Sequence, residues 1–332
     1  MNEFELIGRY FAHAGARRAD VELGVGDDGA LLRTPDDGRR LVWATDTLVA
    51  DRHFPADADP AAIGHKALAV NLSDLAAMGA QPAWATLALT LPEADPDWLA
   101  AFAEGFGALA RAHTVALVGG DTTRGPLAIT VGVAGWSEWP LRRDGARIGD
   151  DIYVTGCLGE GLAGLRVALG EIEPEPAVAE TLLRRYYRPQ PRLGTGDGGK
   201  GDSPLFARRK GTSAPTAAID ISDGLLADLH HILTASGVGA RLEGEAMPVS
   251  EAAIAALGAE AALDAALHGG DDYELLFTAA DPATAEAVRA GGLPVTRIGT
   301  IEADAGLRLE DAEGHVTTPA ISGHDHFTGD SA

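Results

Sequence analysis

Gly24-Val25-Gly26-Asp27-Asp28-Gly29 spells a dinucleotide fingerprint, and whether that spelling is taken literally decides the fold. A doubly wound nucleotide-binding domain needs a helix directly behind the last glycine, its N-terminal N–H groups facing a pyrophosphate. Here two aspartates stand where the pyrophosphate belongs, and Pro35 interrupts the helix that should follow. The literal reading fails on charge and on backbone. With a divalent cation between carboxylate and phosphate, the same acids become an asset.

The pattern recurs. Thr45-Asp46-Thr47, Asn71-Leu72-Ser73-Asp74, Gly119-Gly120-Asp121-Thr122-Thr123, Asp220-Ile221-Ser222-Asp223-Gly224 and Gly269-Gly270-Asp271-Asp272 all set aspartate beside glycine, serine or threonine. Two such carboxylates about 5 Å apart repel by roughly 3 kcal/mol at an effective dielectric near 20. If the fold gathers several, divalent metal is the economical explanation. The chain reads as a candidate nucleotide-using enzyme.

Length and composition narrow the setting. At 332 residues the chain fits two domains of ordinary size, and 46% hydrophobic residues supply their cores. With 26 basic against 49 acidic residues the net charge is −23, which disfavours nucleic acid and anionic membrane as partners. Cys157 is the sole cysteine, so no intrachain disulfide can form and a reducing compartment is expected. The start, Met1-Asn2-Glu3-Phe4-Glu5, lacks the basic and apolar runs of a signal peptide. No apolar stretch approaches the roughly 20 residues of a membrane span. A cytoplasmic protein is expected.

Periodicity sketches the elements. Phe4, Ile7, Tyr10 and Phe11 have helical spacing, and Pro60 opens a long helix through Met78, stopped by Gly79 and Pro82. Asp95 and Pro96 begin another that reaches about Ala112. Strands are expected at Leu41–Thr45, Ala85–Leu91, Ala116–Val118 and Ala128–Ala134. After a polar, basic linker (Arg142, Arg143, Arg147) the second half alternates helices near 161–169, 175–187, 224–235 and 284–290 with strands near 152–154, 217–219, 273–277 and 295–298. The expected fold is α/β (α+β), with a β-rich domain over 1–140 and an α/β domain over 141–332. Residues 194–212, rich in glycine and ending in Arg208-Arg209-Lys210, read as a mobile surface loop or lid. Lys200 is followed by Gly201, so the segment is no Walker motif.

Each motif admits two readings. Asn71 and Asp74 lie three apart on one helix face, with Lys66 and Val70 beginning the stripe; Asp74 is a ligand or a solvated acid. Gly119 and Gly120 let backbone approach a phosphate while Asp121 reaches metal. Ser222 and Asp223 are ligands or merely caps of the next helix. Arg143 pairs with nucleotide phosphate or is a surface arginine. Gly149-Asp150-Asp151 precedes a strand and reads as a turn. No nucleophile elbow is present, and one cysteine without metal-like partners argues against zinc.

In this order, these motifs resemble the thiamine-monophosphate kinases, a family of the aminoimidazole-ribonucleotide synthetase superfamily, from Phe4 to Phe327. The resemblance rests most on Gly24–Asp28, Thr45–Val49 with His53-Phe54, Lys66–Ala80, Gly119–Gly125, Arg143–Ala146, Asp220–Leu225, Gly269–Leu275 and His326-Phe327. It implies an N-terminal domain whose sheet pairs with a second copy, a C-terminal α/β domain, and ATP with several Mg²⁺ ions in the cleft between them. By this resemblance the metal ligands are Asp28, Thr45, Asp46, Asp74, Asp121, Asp220 and Asp223. ATP would meet Gly120, Asp121, Arg143 and Ser222, and thiamine monophosphate would meet His53, Asp271 and His324. Two positions depart from the family pattern. Asp271 stands where glutamate is more usual and keeps the charge one methylene shorter, and His324 stands where an aromatic ring is usual. The 194–212 segment replaces what is ordinarily a continuous helix before Asp220.

The activity so implied is in-line transfer of a phosphoryl group from ATP to thiamine monophosphate, with no general base and no covalent nucleophile. A homodimer is the implied assembly. The alternatives are another ATP-dependent synthetase of the superfamily and a non-catalytic Mg²⁺–nucleotide sensor.

Overall fold

The computed structural model describes residues 3–26, 29–193 and 214–321. The chain divides into two compact units, one from the described residues of 1–140 and 187–203, the other from those of 141–186 and 204–332. Both are mixed helix and sheet, so the class is α+β.

The first unit opens with α1 (Glu3–Leu6), which runs into a π-helical turn, Ile7–Phe11. A small antiparallel pair follows, β1 (Val21–Leu23) with β2 (Leu31–Leu32). The main sheet takes β3 (Arg40–Val49), β4 (Gln81–Leu91), β5 (Ala116–Arg124) and β6 (Ala128–Ser137) in the order β3-β6-β4-β5. β6 pairs antiparallel with both neighbours, whereas β4 and β5 run parallel. That parallel pair requires a crossover, supplied by α3 (Pro96–Ala112). α2 (Pro60–Ala77) begins where Asp59 accepts the Ala61 N–H and Pro60 takes the first helical position. It packs against β3, β6, β4 and α3, and most of its residues are buried, including Lys66, Asn71 and Ser73. α2 and α3 approach so closely that a Cβ on Gly105 would stand 1.9 Å from the Ala61 carbonyl oxygen.

Ala116, Val118, Ala134 and the edge-to-face pair Trp84 and Trp136 form a second core under Val21, Ala30 and Leu32. On β3, Leu41 and Trp43 remain about half exposed.

The second unit contains β7 (Asp151–Thr155), β8 (Ala217–Asp220), β9 (Gly239–Glu243), β10 (Leu275–Ala279), β11 (Val295–Glu302), β12 (Gly306–Glu310) and β13 (Val316–Thr317). Their order is β13-β12-β9-β11-β7-β10-β8, antiparallel throughout except for the β12–β9 pair. The helices are α4 (Glu160–Ala168), α5 (Pro176–Tyr187), α6 (Leu225–Ser236), α7 (Glu251–Leu257), α8 (Ala259–His268) and α9 (Ala283–Ala290). Leu225, Leu226, Leu229, Ile232 and Leu233 of α6 pack with Ile152, Val154, Ile219, Leu276 and Ile298 of the sheet. Full burial of each such side chain stabilises by roughly 2 kcal/mol. Ala163, Leu182, Ala253 and Ala262 join α4, α5, α7 and α8 in a satellite core. Among the described residues no helix is long and apolar enough to cross a membrane.

Candidate functional site

In the first unit, Asp46 lies on edge strand β3 opposite Val131. Its N–H is met by Asn71 Oδ1 at 2.9 Å, and Asn71 Nδ2 donates to the Ala67 carbonyl at 3.0 Å. The Asn71 amide is thus used inside the protein to fasten β3 to α2. Asp74, three residues on, is half-buried. Thr45 Oγ1 donates to the Val131 carbonyl at 3.0 Å.

Gly120 and Asp121 stand opposite Leu87 and Ala88 in the parallel pair. Gly120 has φ +150°, and a Cβ there would lie 1.8 Å from the Leu87 carbonyl oxygen, so only glycine fits. Beyond β3, Asp51 turns the chain with φ +60°, and Val49 donates its N–H to His53 Nδ1 at 3.0 Å. With Nδ1 accepting, the neutral ring carries its proton on Nε2.

In the second unit the expected residues converge. Asp220 ends β8, and the chain then passes Ile221, Ser222 and Asp223 before α6. Asp271 donates its N–H to the Ser222 carbonyl at 2.9 Å, and Tyr273 donates to the Ile221 carbonyl at 2.8 Å. The segment expected to face nucleotide and metal is therefore hydrogen-bonded to the segment expected to face the second substrate. Arg143 joins a 3₁₀ turn against α6, where the Ser236 hydroxyl holds its carbonyl at 2.8 Å. Burial, and then the Arg143 charge, lowers the pKa of His231 against the opposing pull of Asp223.

Ser222 and Asp223 do not cap α6. Its N-cap is Gly224, at φ +119° and without a side-chain bond. The residue that reaches back is Asp228, whose Oδ2 accepts the Ser222 N–H at 3.0 Å and the Asp223 N–H at 3.1 Å. Asp228 is 2% exposed. Burial and the charges of Asp220 and Asp223 push its carboxyl up to about 8.

Asp271 and Tyr273 both have positive φ, +65° and +47°, and β10 begins only at Leu275, two residues later than expected. The Tyr273 hydroxyl donates to Asp271 Oδ1 at 2.8 Å. Between them, Asp272 is fully buried and accepts the Gly159 and Gly161 N–H groups at 2.8 and 2.9 Å, at the start of α4. Burial pushes its carboxyl up to about 7, against the pull of those two N–H groups and of Arg185. Arg185 donates to the Asp272 carbonyl at 2.8 Å and to Glu274 Oε1, and Thr155 Oγ1 reaches Glu274 Oε2 at 2.6 Å.

In the second unit, Asp228 and the Arg185–Glu274 pair beneath Asp272 are structural residues that sequence reasoning passed over. Each is a polar side chain committed inside the protein. The one available signal was charge at positions where periodicity calls for apolar residues.

Asp28, His324 and the 194–212 segment lie outside the described residues. Among the described residues, the acid and imidazole trio with donor atoms all within 4.8 Å is Asp311, Glu313 and His315. All three are exposed at the β12–β13 turn, where Asp311 accepts the N–H groups of Glu313 and His315. Turn geometry accounts for them. Asp46, Asp74 and Asp121 in the first unit, and Asp220 and Asp223 in the second, carry hard carboxylate oxygens, the chemistry Mg²⁺ prefers. Gly120 lets the backbone lie against Leu87 of β4 immediately before Asp121, whose side chain is exposed. The residues present fit the ion.

The model of the AIR synthase related protein N-terminal domain matches residues 26–137, and that of the C-terminal domain matches 204–312. The thiamine-monophosphate kinase of Salmonella typhimurium is 47% identical, with 98% of each chain covered. A crystal structure of thiamine-monophosphate kinase from Stenotrophomonas maltophilia is 46% identical and superposes with a TM-score of 0.78, covering 88% of this chain and 92% of that one. The structure of AaThiL complexed with AMPPCP and TMP is 30% identical with a TM-score of 0.75, covering 89% and 90%. This chain belongs to the thiamine-monophosphate kinases, a family of enzymes within the AIR synthase related proteins.

Proposed function

We propose that this enzyme transfers the γ-phosphoryl group of ATP to thiamine monophosphate, giving thiamine diphosphate and ADP. The observation that carries the reading is the backbone bond between Asp271 and Ser222, which ties the substrate-facing acid to the Asp220–Asp223 segment. A substrate phosphate oxygen attacks the γ-phosphorus, and the bond from that phosphorus to the bridging oxygen of ADP breaks. The attacking oxygen of the substrate phosphate is already ionised near neutral pH, so no general base is required. Covalent catalysis has no support from the one thiol, since burial and then the charges of Glu160 and Glu274 push Cys157 up to about 12.

The residues then divide by task. Asp46, Asp74, Asp121, Asp220 and Asp223, with Asp28 and Thr45, would hold Mg²⁺, whose chemistry when bound is neutralisation of phosphate charge. Gly120, Asp121, Arg143 and Ser222 would position ATP. His53 presents its Nε2 proton to the substrate phosphate, Asp271 faces the cationic thiazolium, and His324 stacks on a ring. Residues 1–140 serve nucleotide, metal and dimerisation, and 141–332 form the α/β domain. Homodimerisation is supported by the half-exposed Leu41 and Trp43 on β3. We place the enzyme in the cytoplasm.

Incubation with ATP, Mg²⁺ and thiamine monophosphate, resolved by chromatography, tests the reaction. Thiamine diphosphate and ADP are expected in equal amounts. No thiamine diphosphate, or equal turnover of free thiamine, overturns it. Asp46→Asn and Asp74→Asn should each remove Mg²⁺-dependent turnover from a folded protein, and full activity in either sinks the metal assignment.

A further inference from the structure

Every backbone polar group at the tip of the Ser222–Asp223 turn for which a bond is described points inward. The two N–H groups bond to Asp228 Oδ2, and the Ser222 carbonyl accepts from Asp271. Such a turn is no anion nest of the kind that glycine-rich phosphate loops form, because its N–H groups are already committed. What it presents to a ligand is side chains, the Ser222 hydroxyl and the Asp223 carboxylate. Their direction is set by two peptide planes, and those planes are set by one carboxylate a turn and a half further along.

We infer that Asp228 is a positioning residue for the Mg²⁺·ATP half of the reaction, aiming Ser222 and Asp223 by accepting both of their N–H groups on a single oxygen. The inference rests on the ligand roles proposed above for Ser222 and Asp223. Asp228 is well suited to the task. It lies in the first turn of α6, a helix whose apolar residues are packed into the core, so its own backbone is fixed. Its burial keeps water from competing for the two N–H groups. An ordinary N-cap at Ser222 or Asp223 would have consumed the very side chain that the ligand needs. Asp228 takes over the capping from inside the helix and leaves both side chains available.

The test compares the intact enzyme with Asp228→Asn, which retains an acceptor oxygen in the same place, and with Asp228→Leu, which has a similar shape and no acceptor. Asp228→Leu should raise KM for Mg²⁺·ATP at least tenfold while KM for thiamine monophosphate changes by less than about threefold. Asp228→Asn should stay within about threefold of wild type on both. If Asp228→Leu does not yield folded protein, Asp228→Ser, too short to reach both N–H groups, replaces it with the same expectation. A folded Asp228→Leu or Asp228→Ser variant with unchanged KM for Mg²⁺·ATP overturns the inference. So does an Asp228→Asn variant as impaired as either, since charge and not the acceptor would then be acting. Asp223→Asn, assayed alongside, separates this from the reading beneath it. Wild-type Mg²⁺·ATP kinetics in that variant remove the ligand role of Asp223, whereas an impaired Asp223→Asn beside an unimpaired Asp228→Leu removes only the role of Asp228.

Discussion

Replacing Asn71 by leucine isolates the fastening of β3 to α2. Asn71 is 1% exposed, and its side-chain amide makes two bonds, one to the Asp46 N–H and one to the Ala67 carbonyl. The second is the cheaper to lose, because position 71 lies four residues on and its backbone N–H still serves the Ala67 carbonyl in the helix. The first is not replaced, so the Asp46 N–H faces an apolar side chain at a cost of about 1–3 kcal/mol. Leucine recovers part of this by apolar burial, and a net destabilisation of about 1–2 kcal/mol is expected. At an m-value of about 2 kcal/mol per molar urea, the unfolding midpoint should fall by roughly 0.5–1 M. Turnover should suffer more than stability. At 25 °C the variant remains folded, yet Asp46 has lost the bond that fixes its peptide, and kcat/KM for Mg²⁺·ATP should fall at least tenfold. Asn71→Asp adds a control with a defined sign. Its buried carboxyl keeps a raised folded-state pKa and can donate to Ala67 only when protonated, so its stability relative to wild type should fall as pH rises from about 4 through that pKa. An Asn71→Leu variant matching wild type in both urea midpoint and Mg²⁺·ATP kinetics would refute the reasoning.

Two further outcomes follow from buried titrating groups. With its pKa near 12, Cys157 is about 0.01% thiolate at pH 8, against roughly a quarter for a free thiol, so alkylation of the folded enzyme should run about a thousandfold slower than in denaturant; rates within tenfold of each other would contradict its environment. Burial lowers the pKa of both His65 and His113, the first also through Arg188 and the second through His65. The unfolded chain then binds more protons below about pH 6.5, so their stability contribution is whole above that pH and is lost as pH falls through the folded values. Each tenfold weakening of proton affinity on folding is worth about 1.4 kcal/mol. Melting temperatures measured from pH 7.5 to 5.5 should fall, and fall less for His65→Gln combined with His113→Gln; parallel curves would exclude both histidines as the source.

The long elements of the first unit were legible because local and tertiary signals agree. Pro60 and an apolar run gave α2 to within a residue of its end, and Asp95 with Pro96 gave α3. Strands β9 and β12 were not foreseen. Each is five residues long, and each exists because a neighbour pairs with it, β9 lying between β11 and β12. α7 and α8 were missed although their alanine-rich stretch favours helix: Gly258 divides it into pieces of 7 and 10 residues, each too short to stand without the core it packs on. At the candidate site, the family pattern supplied the proposed ligand residues and did not supply those that hold them in place. Asp228 reads as an acid in a helical first turn, favourable to any helix dipole, and nothing in its spelling says that it reaches five and six residues back.

The three Gly-Asp-Asp triplets show how far spelling goes, and where backbone takes over. One of them, Gly26-Asp27-Asp28, lies partly outside the described residues. In the other two, one aspartate of each pair is buried and the other is half-exposed. At Gly149-Asp150-Asp151 the buried Asp150 closes a turn, accepting the Arg147 N–H at 2.9 Å and the Thr216 hydroxyl at 2.6 Å, while Asp151 begins β7 and pairs with Arg297 at 2.7 Å. That charge is matched within its own sheet, by β11. At Gly270-Asp271-Asp272 the buried acid instead grips the start of α4, and the flanking residues are forced into left-handed conformations that cost roughly 1–2 kcal/mol each. A bulky tyrosine does not adopt φ +47° for a turn that an ordinary loop could make. The strain persists because Asp272, Arg185 and Glu274 hold the segment from below. What the strain secures is a half-exposed Asp271 carboxylate that accepts a hydrogen bond from the Tyr273 hydroxyl. Asp151 is consumed by an arginine of its own sheet, whereas the strained backbone around Asp271 fixes the direction of a carboxylate whose proposed task is to meet a cationic ligand.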